Sequence, residues 1–276
     1  MSNATVQARD NEGVTIAGAA TASAPKRRNL LQVLRRQKLA MTGATIVGFF
    51  IIVAIIGPFV APHGDTQQFP DRQLKGPSAD FIFGNDEFGR DVFSRILYGA
   101  RISFQVGIVA VGISSVIGIF LGLIAGYFRG WADNILSLFM DVLYAFPTIL
   151  LAIAIMTTLG NSLINVMIAI GLVNVPTFMR VVRGSVLSVR NMTYVEAARA
   201  VGAPTRRIMI FHIFPNITGP LIVHASLNFA FAVLSEASLA YLGLGNRPPS
   251  PSWGSMVSSS YGFLQLAPWA ALFPGA

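Results

Sequence analysis

The sequence predicts an all-α membrane protein, a polytopic transmembrane helix bundle. Three observations predict it. Only 12% of the 276 residues are charged, 53% are hydrophobic, and mean hydropathy is +0.61; soluble domains carry about 25% charged residues. Long charge-free stretches recur along the chain, and a run of about 20 residues at 1.5 Å each crosses a hydrocarbon core. Lys and Arg gather between those stretches, mostly at one set of ends, which is how membrane topology is encoded. The formal charge of +8 is therefore read as loop charge, not as a nucleic-acid surface. The chain has no cysteine, which removes disulfides, thiolate nucleophiles and Cys-ligated zinc.

The elements follow in order. Residues 1–38 form a basic cytoplasmic tail. Its first part is rich in Ala, Thr, Gly and Ser without apolar period and reads as disordered, and residues 25–38 hold six basic side chains and no acid. Residues 39–60 carry no charge and form the first span; a secretory signal would have a shorter apolar core nearer the start. Residues 61–101, polar and with Pro62, Pro70 and Pro77, form an extracytoplasmic loop with an amphipathic helix at its end. Residues 102–276 form one transmembrane domain. Within it, 102–128 is the second span, 134–159 the third with a kink predicted at Pro147, and 163–179 a short fourth. A hairpin over 191–216 follows, then a fifth span over 217–244. The last ten residues are apolar and too short to cross.

With the N-terminus inside, 14 of the 20 Lys and Arg lie on the cytoplasmic side, the hairpin's among them. The sign favours this orientation.

The hairpin reads "TYVEAARAVGAPTRRIMIFHIFPN" from Thr193 to Asn216. Thr193 and Glu196 have the spacing of a capping box, which predicts a helix start. Tyr194, Ala197, Ala198 and Val201 then share much of one low face. Gly202 suits a left-handed helix end, Pro204 the first turn of a second short helix carrying Arg206 and Arg207, and Pro215 its stop. Two settings fit a basic hairpin beside a membrane: anionic lipid headgroups, or a groove on another protein. The small alanine face suits the groove.

Glu196, Ala197 and Ala198, three residues, Gly202, and a stretch ending at Pro215 resemble the EAA loop of permease subunits of bacterial ABC importers. Here His212 and Phe214 stand where the family has Ile and Leu. The ending from His212 to Asn216 is similar to the peptide-importer branch. "GNDEFGRDVFSRILYGARIS" (84–103) and "LAYLGLGNRPPSPSWGSM" (239–256) resemble two further motifs of that branch, with Asn85, Tyr241 and Arg247 as departures. The likeness covers about residues 30–276 and is nearest to the C-type permease of dipeptide, oligopeptide, glutathione and nickel importers. It implies the ABC type I importer permease fold. It also implies partners: a second similar permease, two ATPase subunits or domains that bind ATP and Mg, and an extracytoplasmic binding protein. ATPase coupling falls on Glu196, Ala197, Ala198, Gly202, Arg206 and Arg207. The family ends in a sixth span and a charged tail; here five full spans are visible and the sixth is truncated.

Other residues are weighed against plainer roles. Gly118, Gly122 and Gly126 recur every four residues, as in close helix packing. Asp91 and Arg95 have the spacing of a helical ion pair. Asp141 and Glu236 are acids within spans, where an exposed charge costs about 3 kcal/mol. Asp141 lies close to the start of its span, which fits a membrane edge or a functional position equally, and Glu236 is expected to border the outer part of the pathway. His63, His212 and His224 lie far apart in sequence, without metal-ligand spacing. No lysine follows a glycine, so the chain has no P-loop of its own. An intramembrane hydrolase would rest on His224 with Ser226 or Ser235. A secondary transporter would carry inverted repeats, and none is visible.

Overall fold

A computed structural model describes residues 38–245 and 249–276. The predicted basic tail up to residue 37 lies outside the described residues, as does Arg247. The chain divides after Ile46: residues 38–46 of the first unit are described and form the opening turns of the first helix, and the second unit covers residues 47–276.

Helix α1 spans Lys38–Val60. Helix α2 spans Val92–Phe128 and is 37 residues long. It starts well before residue 102, where the charge-free run begins. Asp91 caps it, its side chain accepting from the Phe93 and Ser94 N–H groups, which satisfies donors that a helix start leaves open. The helix expected at the end of that loop is thus continuous with the second charge-free run.

Helices α3 (Trp131–Tyr144) and α4 (Thr148–Leu159) are bent by 91° at Pro147. The expected kink is a full break, because Pro147 takes an extended conformation (ψ 127°) and lacks the N–H a helix needs. Helix α5 spans Leu163–Val189, started by the Ser162 hydroxyl accepting from Asn165 N–H. It outruns the predicted end at residue 179. Arg180 and Arg183 pair with Asp141 and Asp133 of α3, so these charges need not mark a helix end.

The hairpin opens with α6 (Thr193–Ala200) and turns into α7 (Thr205–Arg207). A π-helical stretch, Ile208–Ile213, carries α7 directly into α8 (Phe214–Tyr241). Helices α9 (Trp253–Ser260) and α10 (Pro268–Gly275) close the described chain. Among the described residues four helical runs are long and apolar enough to cross a membrane, and α3–α4 makes five if counted as one bent span. The polytopic helical bundle is as predicted, and no named strand forms among the described residues.

The central packing is α2 against α5, and the glycine repeat decides it. A Cβ on Gly118 would collide with Phe178; on Gly122 it would stand 2.6 Å from Val182 Cβ, and on Gly126 2.7 Å from Val186 Cβ. Between lipid-facing helices apolar burial gives little drive, so close backbone approach and van der Waals contact supply the attraction. Gly107 does the same for α2 and Phe229 of α8.

At the end away from the hairpin, residues 61–91 fold against α9 and α10. Val92, Met256, Ala267 and Ala270 are buried there, with Trp269 donating from its indole to Asn85 O (3.2 Å). Arg95 is buried and donates to Asp65 O and Pro249 O, with Asp86 3.6 Å away. Asp91 instead serves the helix cap and meets the His63 ring (3.2 Å). The predicted Asp91–Arg95 pair therefore does not form. Residue 91 precedes the helix, so its side chain turns back over the first N–H groups.

Candidate functional site

The hairpin is built on an apolar seat. Val195 and Ala198 of α6 are buried with Val182, Val186 and Val189 of α5, and Ile208, Ile213 and Ile217 join them from the returning leg. Tyr194, Glu196, Ala197 and Val201 point outward, Val201 at 84% exposure. Ala198 thus leaves the face it was grouped with: it serves the seat, while Tyr194, Ala197 and Val201 remain outside. The capping box is also absent. Met192 is the N-cap and Thr193 already lies inside the helix, one residue too late for its hydroxyl to reach the open N–H groups.

The turn behaves as predicted. Gly202 has φ +78°, with its N–H on Arg199 O (2.9 Å) and the Ala203 N–H on Ala198 O (3.0 Å). This is the double bond pattern that ends helices at glycine. Nothing lies within 4 Å of a Cβ placed there, so the turn needs glycine for its backbone angle, not for space. Arg206 and Arg207 are exposed on the second leg.

Pro215 does not stop that leg. It sits near the start of α8, and its missing N–H perturbs the turn before it. The Phe214 N–H reaches back to Met209 O, a π-type bond, and the Asn216 side-chain amide donates to His212 O (2.7 Å). The His-x-x-Pro-Asn ending therefore has a physical reading: a widened turn whose spare carbonyl is met by Asn216.

Several residues that were not picked out from the sequence tie the hairpin end together. Arg183 forms two bonds to Asp133 (2.5 and 2.8 Å). Arg190 donates to Gly126 O (3.2 Å) and Tyr127 O (2.9 Å), the open carbonyls at the end of α2. Burial first, then Arg129 and Arg199, hold its guanidinium below the usual pKa. The Arg199 guanidinium lies 5.3 Å from the Tyr127 ring centroid. The available signal was positional: arginines within or just after a span, each needing an acid or a helix end.

The remaining candidates are placed as follows. Glu236 is wholly buried. Neither carboxyl oxygen has a partner in hydrogen-bond geometry, and its polar neighbour Ser252 faces Ser255. It is not among the residues that line an apolar cavity of about 1320 Å³, although the next residue, Ala237, is. That cavity, between α1, α2, α8, α9 and α10, is lined by Ala237, Trp253, Phe104, Ser226 and others, with no charged residue among them. Asp141 is exposed and paired with Arg180 (2.9 Å). The His224 ring meets the Asn228 amide (2.9 Å), while the Ser226 hydroxyl donates to Ile222 O. Histidine and serine are not brought together as a hydrolase would need.

Comparison with known proteins then decides the family. The family described as "binding-protein-dependent transport system inner membrane component" matches residues 118–275. This chain belongs to the permeases of ABC importers. Residues 27–77 of the permease match "N-terminal TM domain of oligopeptide transport permease C". The permease is 48% identical to the dipeptide transport system permease protein DppC of Alkalihalophilus pseudofirmus, over 92% of this chain and 84% of that one. It is 43% identical to the glutathione transport system permease protein GsiD of Escherichia coli, over 87% and 80%. A structure of the MetNI methionine ABC transporter in an inward-facing conformation shares the fold. Its TM-score is 0.54 at 17% identity, over 65% of the permease and 87% of that chain. The chain is thus a multi-pass inner-membrane subunit of an importer.

Proposed function

We propose that the permease forms half of the pathway by which an ATP-driven importer moves di- or oligopeptides. The hairpin is its coupling element to a separate ATPase. The observation that carries this reading is the division of labour in the hairpin. Val195 and Ala198 fasten it to the bundle, while Tyr194, Glu196, Ala197 and Val201 are left facing out. An apolar Val201 at 84% exposure, on a turn flanked by Arg206 and Arg207, suits a protein groove better than water. The hairpin then lies in the cytoplasm with the N-terminus, ATP and Mg are held by the ATPase, and residues 61–91 with α9 and α10 face the binding protein. A second, similar permease completes the pathway. The peptide cargo is supported by the likeness to DppC; glutathione, itself a peptide, is the second reading, supported by GsiD.

Val201→Asp tests the coupling, because it charges the outer face without touching the apolar seat. The variant is expected to accumulate in the membrane as the parent does and to lose co-purification of the ATPase. Uptake of a radiolabelled dipeptide should fall by at least about tenfold, the scale of losing one interface anchor. Unchanged co-purification and uptake would refute the assignment.

A further inference from the structure

We propose that Tyr127, Arg190 and Arg199 form a junction that carries hairpin displacement to α2, as positioning residues of the transport cycle. The inference rests on reading the hairpin as the ATPase-docking element. The chain itself leads from the hairpin to two spans only: back through Asn191 to α5, and forward through Pro204 and the π-helical stretch to α8. Helix α2 has no such connection and must be moved by contact.

Its longest contact, with α5, is the glycine stripe of Gly118, Gly122 and Gly126. The side chains of Phe178, Val182 and Val186 face it, with the backbone of Met179 and Arg183 beside them. Dispersion holds the two helices at a fixed separation but is weakly directional along their axes. At this end α2 also packs on the hairpin seat through Ile119, Leu123 and Tyr127, and directional bonds add to that contact. Arg190 supplies them, its Nη1 donating to both Gly126 O and Tyr127 O. Those carbonyls are among the last of α2 and have no helical donor of their own. The negative end of the α2 dipole also favours the cations gathered there.

Arg199 closes the link. It lies on α6, so it moves with the hairpin, and its guanidinium stacks on the Tyr127 ring. The side chain is exposed, and removing it leaves the Val195 and Ala198 seat intact. The same aromatic residue thus receives one arginine from the hairpin on its ring and one from the end of α5 on its carbonyl.

The test exploits the absence of native cysteine. Environment-sensitive dyes are placed singly at Val116→Cys on α2 or Leu227→Cys on α8, both exposed positions, in the full transporter reconstituted in liposomes. ATP with vanadate is added. In the parent both dyes should respond. In Arg190→Met and Arg199→Met the α8 response should persist while the α2 response falls at least about fivefold, the scale of a lost coupling contact. Tyr127→Phe, which keeps ring and carbonyl, should behave as the parent, and Tyr127→Leu as Arg199→Met. A full α2 response in both arginine variants overturns the proposal. So does parallel loss of both responses together with the ATPase, since the residues would then act in docking or folding. If the ATPase is absent from the parent complex and neither parent dye responds, the hairpin reading itself has failed.

Discussion

At the scale of single residues, one residue type has opposite meanings in this chain. Gly122 has Val182 Cβ 2.6 Å and Met179 O 2.7 Å from where its Cβ would be, whereas Gly184, on α5, has nothing within 4 Å. Gly122→Val therefore forces α2 and α5 apart, at a cost of about 1–3 kcal/mol or more for overpacking. We expect loss of most monodisperse permease on size-exclusion chromatography in detergent. Gly184→Ala should match or exceed the parent in yield and Tm, since alanine stabilises a helix interior by about 0.5–1 kcal/mol over glycine. Equal behaviour of the two variants would contradict the packing. The four-residue spacing pointed to the stripe in advance. Ala198 was not legible in the same way. Its neighbours Tyr194, Ala197 and Val201 are apolar too, and only the position of the seat under α6 decides which of them turns inward. Glu236 was legible as an unusual acid in a span; that it would be wholly buried, with Ser252 as its polar neighbour far along the chain, was not.

At the scale of elements, breaks and joins depend on how the chain repairs its carbonyls and charges. Pro147 was visible as a kink, but a 91° turn also needs a place for α4 to go, which packing against α5 provides. Pro215 looked like a stop and is a join, because the Asn216 amide and a π-type bond restore the ladder. The arginines of α5 looked like the end of a span and continue it, because Asp133 and Asp141 lie one helix away. These two pairs are unequal. Asp133 is buried and held by two bonds from Arg183, which hold α3 against α5, whereas both members of Asp141–Arg180 are largely exposed. Arg183→Met should lower Tm clearly, through loss of a charge-assisted contact of about 2 kcal/mol. Arg180→Met should change it little, since exposed pairs contribute about 0–1 kcal/mol. Asp133→Arg combined with Arg183→Asp should recover part of the loss. Equal effects of the two single variants on thermal unfolding in detergent would show that the bidentate pair is not what fastens α3.

At the scale of the whole molecule, the two ends are made differently, and the cavity lies between their chemistries. The hairpin end gathers Arg129, Arg190, Arg199, Arg206 and Arg207, as expected of a face on the cytoplasm. The other end is a compact fold of residues 61–91 with α9 and α10, locked by the buried Arg95. The cavity wall has only apolar side chains, a few hydroxyls and Tyr241, with no ionised group among the described residues that line it. If the wall belongs to the pathway, its access to water must alternate during turnover. Ser226 is exposed on it and bonded only within its own helix turn. A cysteine at Ser226, in a chain that otherwise has none, should react with a water-soluble thiol reagent in reconstituted complexes. Its rate should differ at least about fivefold between the nucleotide-free and vanadate-trapped states, because a bistable gate excludes solvent in one of them. A constant rate would instead assign the cavity to a static contact, with lipid or with the second permease. A disulfide from the same cysteine to a partner subunit would then identify which.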